Sequence, residues 1–397
     1  MPDRLFYLLF LFVICFAGVT FGAMDSVLAP AYLPEILRDM GSAGDAETAA
    51  RVGAWINFSF LAGGSVGGIL LSFISDRIGC RKVLALSLLL YGAGSGLGIY
   101  APNWELLAVT RFLVGTGVGA ALVVTVVMIA NAWTKASAVA LGILSVAYPV
   151  GIILSGIITT NVDEWRTAFL IGAIPALLAL PVYLLTQETI MPKVEGQSSR
   201  RVSFASYQGK LISGILVYGS MLIGLWAAFS WLPTWVQSLN DDTVAVGLSE
   251  RGTAVILLGL GGLMGGIISG WLSNTFSAWR VQALCFIICL LLSLFLFKLN
   301  LTYSMWVLVG SGLLGFTFGV SQGVLNIFIP ALFPVEIRAG ATGLCFHTGR
   351  IFTAIAVFFV GAWAIALGGY GNAIFTFSLV YVIGLMALLG MKRKGEG

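Results

Sequence analysis

The feature that most constrains this chain is a run of about 20 apolar residues that recurs along all 397 positions. A helix of roughly that length crosses the hydrocarbon core of a bilayer, about 30 Å thick, with its backbone hydrogen bonds satisfied internally. Charged residues make up only 10% of the sequence, so few charges interrupt these runs. The chain is therefore predicted to be an all-α membrane protein.

Twelve such stretches are predicted to be transmembrane helices. They lie at approximately 5–35, 51–75, 83–102, 106–132, 138–160, 167–186, 209–238, 252–273, 281–298, 303–330, 339–365 and 370–391. The first stretch is longer than the roughly 7–15 residues of a signal-peptide core, so we expect it to remain as a helix. A polar segment divides the twelve stretches into two groups of six. The predicted domains are an N-terminal six-helix bundle at 1–186, a cytoplasmic linker at 187–208 and a C-terminal six-helix bundle at 209–397.

The positive charges predict the orientation of the chain. With a cytoplasmic N-terminus, 14 Lys and Arg residues fall in inner segments and 5 in outer segments. Cytoplasmic loops retain positive charge during insertion, so both termini are predicted to be cytoplasmic, in an inner or plasma membrane. The net charge of +4 follows from this loop bias and gives no reason to expect a nucleic-acid partner.

The two halves of the sequence resemble each other. Residues 67–82 align without gaps to residues 265–280, beginning Gly-Gly-Ile in both cases. Residues 111–119 pair in the same way with 311–319, and both share two glycines at matching positions. Repeats of this kind predict two pseudo-symmetric bundles that rock about a substrate site at their interface.

Three motifs resemble those of the major facilitator superfamily. Residues 72–82 read S-F-I-S-D-R-I-G-C-R-K, similar to the superfamily signature G-x-x-x-D-R-x-G-R-[RK]. Residues 111–119 are similar to its Arg and Gly-rich fourth-helix motif, and residues 163–169 resemble its W-R-x-x-F segment. Ser72 and Cys80 depart from the signature, in its first Gly and first basic position. The resemblance implies the major facilitator fold and secondary active transport by alternating access.

The C-terminal half resembles a narrower group within that superfamily. Residues 332–343 and 347–350 are similar to the F-P-x-x-x-R and N-x-G-R segments of proton-coupled organic-acid carriers, including sialate, monocarboxylate and aromatic-acid symporters. This resemblance implies that the partners are a small organic anion, such as a carboxylate, and protons. The residues themselves show no metal-ligand spacing, so neither a metal nor a cofactor is expected.

The loop after the second predicted helix is a candidate gate. It carries Asp76, Arg77, Gly79, Arg81 and Lys82 where two helices meet the cytosol, so its charges could pair across the bundle. The alternative is that the basic residues only fix the orientation of the chain.

Charges inside predicted helices are candidates for proton coupling, because a buried charge needs a partner or a function. Asp25 and Arg111 are predicted to share a depth in the outer third of the membrane. Burial and a neighbouring cation act on a carboxylate in opposite senses, so opening the site could switch Asp25 between its protonated and charged forms. The alternative is a permanent ion pair that braces the first and fourth helices.

Arg350 is the candidate substrate-binding residue. It follows Arg338 by twelve positions, which places it about 18 Å along the helix and near the bilayer midplane. No acidic residue of the second half is predicted at that depth, so the matching charge could be supplied by the substrate. The alternatives are an arginine capped by backbone carbonyls or one paired with Asp25.

Further polar and aromatic residues are candidates for the same site. His347 shares a helical face with Arg350, although an isolated histidine is more often a packing residue. The weaker candidates can equally serve helix packing. They are Gln322, Asn326, Tyr148, Asn57, Tyr218 and Trp226.

The preferred prediction is proton-coupled symport of a small organic anion by a monomer surrounded by membrane lipid. One alternative is a proton-coupled exporter or antiporter of drugs or metabolites with the same fold. Another is a membrane sensor that transports nothing. The sequence has no nucleophile triad, metal-ligand cluster or phosphate loop, so an enzyme is not expected.

Overall fold

The computed structural model describes residues 2–42, 44–133, 137–188, 207–239, 244–334 and 337–393. Within these ranges the side chains of 2–4, 72, 76, 137–139, 244–246, 339, 392 and 393 are not described. The described residues form helices and their connections, without a β-strand.

The first nine helices are α1 Pro2–Ala31, α2 Leu33–Asp39, α3 Ala46–Ile78, α4 Cys80–Gly98, α5 Trp104–Ala132, α6 Ser137–Ser145, α7 Ala147–Asn161, α8 Trp165–Gly172 and α9 Pro175–Leu185. The others are α10 Gln208–Ser238, α11 Val244–Phe276, α12 Ala278–Leu294, α13 Met305–Ala331, α14 Arg338–Ala362, α15 Tyr370–Ser378 and α16 Val380–Arg393. A π-helical turn, Phe295–Leu299, extends α12.

All twelve predicted spans fall on helices, as an all-α membrane protein of the major facilitator fold requires. In the described part of the chain, 11 helical stretches are long and apolar enough to cross a membrane. The remaining predicted span, 83–102, corresponds to α4, which has 19 residues and carries Arg81 and Lys82 in its first turn. These two charges and several small residues make α4 less apolar than the other spans.

Several helix boundaries differ from the sequence prediction. The predicted first span, 5–35, ends as a membrane helix at Ala31, and Pro34 then lies at the start of the short helix α2. The eighth span was predicted to begin at residue 252, with Arg251 in an outer loop. The structure places Arg251 inside α11, which already begins at Val244, so the loop assignment was wrong.

The described helices group into two compact units. The first unit contains α1–α9 and the beginning of α11, up to Ile256. The second unit contains α10, the rest of α11 from Leu257, and α12–α16. The predicted division into bundles at 1–186 and 209–397 stays a prediction.

Each unit contains a pair of helices in backbone contact through glycines. In the first unit, a Cβ atom on Gly115 of α5 would collide with the carbonyl oxygen of Phe60 in α3. In the second unit, a Cβ atom on Gly315 of α13 would collide with the carbonyl oxygen of Leu258 in α11. Small residues allow such close approach of membrane helices, so the sequence repeat corresponds to a repeated packing contact.

The repeat also includes an unusual backbone conformation. Gly79 separates α3 from α4 with φ 99°, and Ser277 separates α11 from α12 with φ 67°. The two residues occupy equivalent positions in the alignment of 67–82 with 265–280. The two turns therefore share their backbone geometry although the residue type differs. Positive φ is unstrained for glycine and costs energy for serine.

Candidate functional site

The first unit contains a buried ion pair between α1 and α5. Arg111 Nη1 lies 3.2 Å from Asp25 Oδ1, and the two side chains are 1% and 0% exposed. Ser95 of α4 donates a hydrogen bond of 3.0 Å to the same carboxylate oxygen. Asp25 Oδ2 has no hydrogen-bond partner among the described residues. The structure thus brings together the two residues predicted for proton coupling, while their role stays a prediction.

Arg111 is also held by groups that carry no charge. Its Nη2 donates a hydrogen bond of 2.6 Å to the backbone carbonyl of Asp25. Its guanidinium carbon lies 5.2 Å from the ring centre of Phe60 and 5.5 Å from that of Phe169. Aromatic faces attract a desolvated cation, so these rings and the carbonyl offset part of the cost of burying the guanidinium.

Two weaker candidates of the first unit, Tyr148 and Asn57, also make contacts within its helices. The Tyr148 and Ser26 hydroxyl oxygens are 3.3 Å apart, which links α7 to α1 one residue after Asp25. Asn57 of α3 is buried and interacts with its neighbours.

The candidates of the second unit gather where α10, α13 and α14 meet. Tyr218 of α10 donates a hydrogen bond of 3.3 Å to Asn326 Oδ1 of α13. The Tyr218 ring packs edge-on against Phe346 of α14, with ring centres 5.3 Å apart, and Phe346 packs against His347. Phe346, which the sequence analysis did not single out, therefore connects His347 to Tyr218, and Tyr218 is bonded directly to Asn326.

Two groups near this contact are buried without a hydrogen-bond partner among the described residues. They are Nδ1 of His347 and Nε2 of Gln322. Gln322 lies one turn before Asn326 on α13. A buried amide donor left unsatisfied costs about 1–3 kcal/mol, so such groups in a native protein call for an explanation. A bound ligand that accepts hydrogen bonds would explain these two groups.

Arg350 lies three residues after His347, halfway along α14, and is 4% exposed. It interacts with its neighbours. The described residues of the second unit include no Asp or Glu. Trp226 of α10 is buried and packs edge-on against Phe229.

The candidate gating loop is tied to the end of α9. Glu188 Oε1 accepts a hydrogen bond of 2.9 Å from the Arg81 backbone N–H, and Oε2 lies 3.3 Å from Arg81 Nε. Glu188 thereby caps the first turn of α4, where Gly79 has no side chain to do so. Arg77 and Lys82 are exposed. The side chain of Asp76 lies outside the described part of the structure.

The sequence analysis missed two residues that form ion pairs here. Glu188 was assigned to the linker, and Arg251 to an outer loop. Arg251 is fully buried and forms an ion pair with Glu35 of α2. The burial of Arg251 could have been suspected from the sequence, because the residue directly precedes a predicted apolar span and can lie within the first turns of its helix. Among the described residues, no group of three or more His, Cys, Asp and Glu side chains could hold a metal ion.

An all-α membrane fold built from two related units with buried polar side chains is the architecture of a solute transporter. Residues 14–357 match the Major Facilitator Superfamily, which is most of the chain. The protein therefore belongs to this superfamily of transporters, and it is an integral membrane protein rather than an enzyme.

Its relatives include carriers of organic acids. The chain is 26% identical over 399 residues to the probable 4-methylmuconolactone transporter of Cupriavidus pinatubonensis, covering 94% of this chain and 89% of the relative. It is 25% identical over 400 residues to the gallate transporter of Pseudomonas putida, covering 90% and 85%. It is 25% identical over 342 residues to the sialic acid transporter NanX of Escherichia coli, covering 83% and 82%.

Solved structures show the same fold at lower sequence identity. A D-xylose-proton symporter superposes with a TM-score of 0.76 at 17% identity, covering 97% of each chain. A bacterial homologue of the human lysosomal transporter Spinster also has a TM-score of 0.76, at 14% identity, covering 98% of this chain and 97% of that chain.

Proposed function

We propose that the protein is a proton-coupled symporter that takes up a small organic anion, a carboxylate, by alternating access. The observation that carries this proposal is the group of buried polar side chains in the second unit. Nδ1 of His347 and Nε2 of Gln322 have no hydrogen-bond partner within the described structure, and Arg350 lies on the same helix face as His347. A carboxylate can accept hydrogen bonds from several donors at once, so it suits such a group.

The charge of the second unit supports an anion rather than a cation or a neutral drug. A guanidinium inside a membrane helix is costly to bury and attracts negative charge, and Arg350 is 4% exposed. A guanidinium presents five N–H donors in a planar fork, and this geometry matches the two oxygens of a carboxylate. The relatives named as gallate and sialic acid transporters favour the same substrate class.

Proton coupling is assigned to Asp25 and Arg111 in the first unit. Asp25 has one satisfied oxygen and one without a partner in the described structure, so its carboxyl group can accept a proton without breaking the hydrogen bond from Ser95. The proton gradient across an inner or plasma membrane, with both termini in the cytoplasm, would then drive uptake by a monomer.

The test uses purified protein in liposomes with an imposed pH gradient, and labelled gallate and nicotinate as probes. We expect accumulation of at least one carboxylate, and a loss of affinity of about tenfold or more in Arg350→Lys, because an ammonium cannot reproduce bidentate binding. Arg280→Lys makes the same change at an exposed position and should bind normally. Native affinity in Arg350→Lys would contradict the proposed binding site, and export of dyes without carboxylate uptake would favour an exporter.

The assignment of the proton site is tested separately. Asp25→Asn should abolish accumulation driven by the pH gradient and retain exchange of labelled for unlabelled substrate, because the protonation change is removed while the substrate site is intact. Ser95→Ala, which removes a neutral hydrogen-bond donor from the same carboxylate, should retain accumulation. Accumulation by Asp25→Asn at the native level would exclude Asp25.

A further inference from the structure

The hydrogen bond between Tyr218 and Asn326 fixes the orientation of one amide side chain in the second unit. The Tyr218 hydroxyl, on α10, donates to Oδ1 of Asn326, on α13, at 3.3 Å. Tyr218 is 5% exposed, and the described structure gives its hydroxyl no other acceptor. If the amide turned over, the hydroxyl would face an N–H2 group and its own proton would lose its acceptor, which is costly for a buried donor. The amide oxygen of Asn326 is therefore held toward Tyr218.

Tyr218 is itself held in position by the packing of α10 against α14. Its ring lies edge-on to Phe346 of α14, with ring centres 5.3 Å apart. At the next residue the two helix backbones touch, because a Cβ atom on Gly349 would lie 3.0 Å from the Cα atom of Gly219. Close packing of this kind leaves the phenol ring little freedom to follow a rotated amide. The packing of these two helices thus sets the direction in which the Asn326 amide points.

The nitrogen end of the Asn326 amide is available to a ligand. Asn326 is exposed, and its Nδ2 has no hydrogen-bond partner among the described residues. Nε2 of Gln322 likewise has none there. The two residues are four apart on α13, so their amides lie on one face of the helix and about 6 Å apart along its axis. Only the Asn326 amide is oriented by a hydrogen bond, so it is the group that can distinguish an acceptor from a donor.

We propose that Tyr218 is a positioning residue that makes the site select organic acids with a second hydrogen-bond acceptor, a carbonyl or carboxylate oxygen, about 6 Å from the first carboxylate. The first carboxylate binds at the level of Gln322, and the second acceptor receives a hydrogen bond from Nδ2 of Asn326. A ligand with a donor at that point would leave both its own group and the amide nitrogen unpaired, and it would be rejected. This inference rests on the proposed function and adds the chemistry of the rest of the ligand.

The alternative role for this hydrogen bond is to join two helices. Side-chain hydrogen bonds between membrane helices contribute to packing whatever ligand is bound. Loss of the Tyr218 hydroxyl would then weaken the fold and reduce the binding of every ligand alike. A positioning role predicts opposite changes for ligands with an acceptor and ligands with a donor, because a freed Asn326 amide can present its oxygen instead of its nitrogen.

The experiment measures the binding of benzoate, para-acetylbenzoate and para-aminobenzoate to the purified protein by calorimetry. The rigid ring holds the carboxylate and the second group at opposite ends. We expect the unaltered protein to bind para-acetylbenzoate about three- to tenfold more tightly than para-aminobenzoate, the range for one hydrogen bond. Tyr218→Phe should bind para-acetylbenzoate more weakly and para-aminobenzoate more tightly, so the ratio approaches one. Tyr381→Phe is the matched control and should keep the ratio, because it removes a buried hydroxyl of the same unit that has no partner among the described residues.

An unchanged ratio in Tyr218→Phe would overturn the inference, as would equal weakening of all three benzoates. If Tyr218→Phe does not fold, Asn326→Leu decides the matter, because it replaces the amide by an apolar side chain of similar size. Loss of the preference for para-acetylbenzoate in that variant supports the inference, and a retained preference overturns it. An unaltered protein that binds the three probes equally, or binds none, also overturns it. Accumulation of gallate or nicotinate is measured independently, so failure of this inference is distinguishable from failure of the proposed function.

Discussion

The two helix pairs α3–α5 and α11–α13 share a packing scaffold but carry different chemistry. Both pairs approach at glycines that the sequence repeat aligns, Gly115 with Gly315 and Gly119 with Gly319. At the position aligned with Arg111, however, α13 has Ser311, which only donates to the backbone carbonyl of Val307. The comparison shows that backbone contact was retained in both units while the charge was not.

The two units also differ in the polar groups described near a buried arginine. Arg111 has a carboxylate within its own unit, in Asp25. Arg350 is also buried, and in its unit Nδ1 of His347 and Nε2 of Gln322 have no hydrogen-bond partner among the described residues. These two arrangements correspond to the two roles proposed above, proton exchange for Asp25 with Arg111 and anion binding for Arg350.

The largest expected effect comes from breaking the chemical difference at the aligned positions 111 and 311. Arg111→Leu should destabilise the protein by about 3–5 kcal/mol, because it leaves Asp25 buried without its partner. Ser311→Ala should cost about 0.5–1.5 kcal/mol, the value of one neutral hydrogen bond. Thermal unfolding of the purified proteins compares them, and the double variant Asp25→Asn with Arg111→Leu should recover part of the loss. Equal melting temperatures for the two single variants would contradict this contrast.

A second prediction concerns the feature that the pairs share. Gly115→Ala and Gly315→Ala should each destabilise by about 1–3 kcal/mol, because the added methyl group forces two helix backbones apart. The effects should be similar in the two units if the packing is equivalent. Gly266→Ala is the control, since a Cβ atom there meets nothing within 4 Å. Melting temperatures measure all three, and tolerance of either of the first two substitutions would show that the glycine contact is loose in that unit.

The turns that follow α3 and α11 allow a reciprocal exchange. Gly79→Ser should destabilise by about 1–2 kcal/mol, the cost of positive φ for a residue with a side chain. It would also push the Glu188 carboxylate from its position against Gly79. Ser277→Gly should stabilise by up to about 1 kcal/mol, because it relieves the same strain at φ 67°. Opposite shifts in melting temperature are expected, and shifts of the same sign would refute the equivalence of the turns.

The smallest effect is expected at helix starts. Asp45 caps α3 and accepts hydrogen bonds from the Thr48 backbone N–H and hydroxyl, whereas Ser304 before α13 makes no side-chain cap. The hydrogen bonds from Thr48 hold the pKa of Asp45 below its ordinary value of 3.8. The stabilisation that this cap gives to α3 is therefore complete above pH 3.8 and is lost as the pH falls through the lowered pKa. Asp45→Ala should lower the melting temperature slightly at pH 7 and not in stronger acid. Ser304→Ala should leave the melting temperature unchanged both at pH 7 and in stronger acid.

Much of the fold could be predicted because the bilayer imposes a simple length requirement on apolar helices. The pairing of Asp25 with Arg111 was also predictable, since counting helical rise from the loops gave both residues the same depth. The pairing of Glu35 with Arg251 was not. It joins residues 216 positions apart, and it depends on where α1 ends and on how far α11 extends beyond its apolar stretch.

The aromatic connection in the second unit shows a similar limit. Helical spacing places His347 and Arg350 on one face of α14, but it does not indicate that Phe346 contacts Tyr218 of α10. Contacts between helices depend on their rotation and crossing angle, which periodicity alone leaves open. The charged residues of a membrane span can therefore be identified from the sequence more readily than the neighbours that complete their site.

The hydrogen bond from Arg111 to the main-chain carbonyl of Asp25 has a consequence for how such a carrier can diverge. Every amino acid at position 25 provides that carbonyl, so the arginine keeps one anchor whatever the side chain becomes. A single substitution that removes the acidic group, which under the proposed function would turn energised accumulation into passive exchange, would therefore leave the arginine attached to α1.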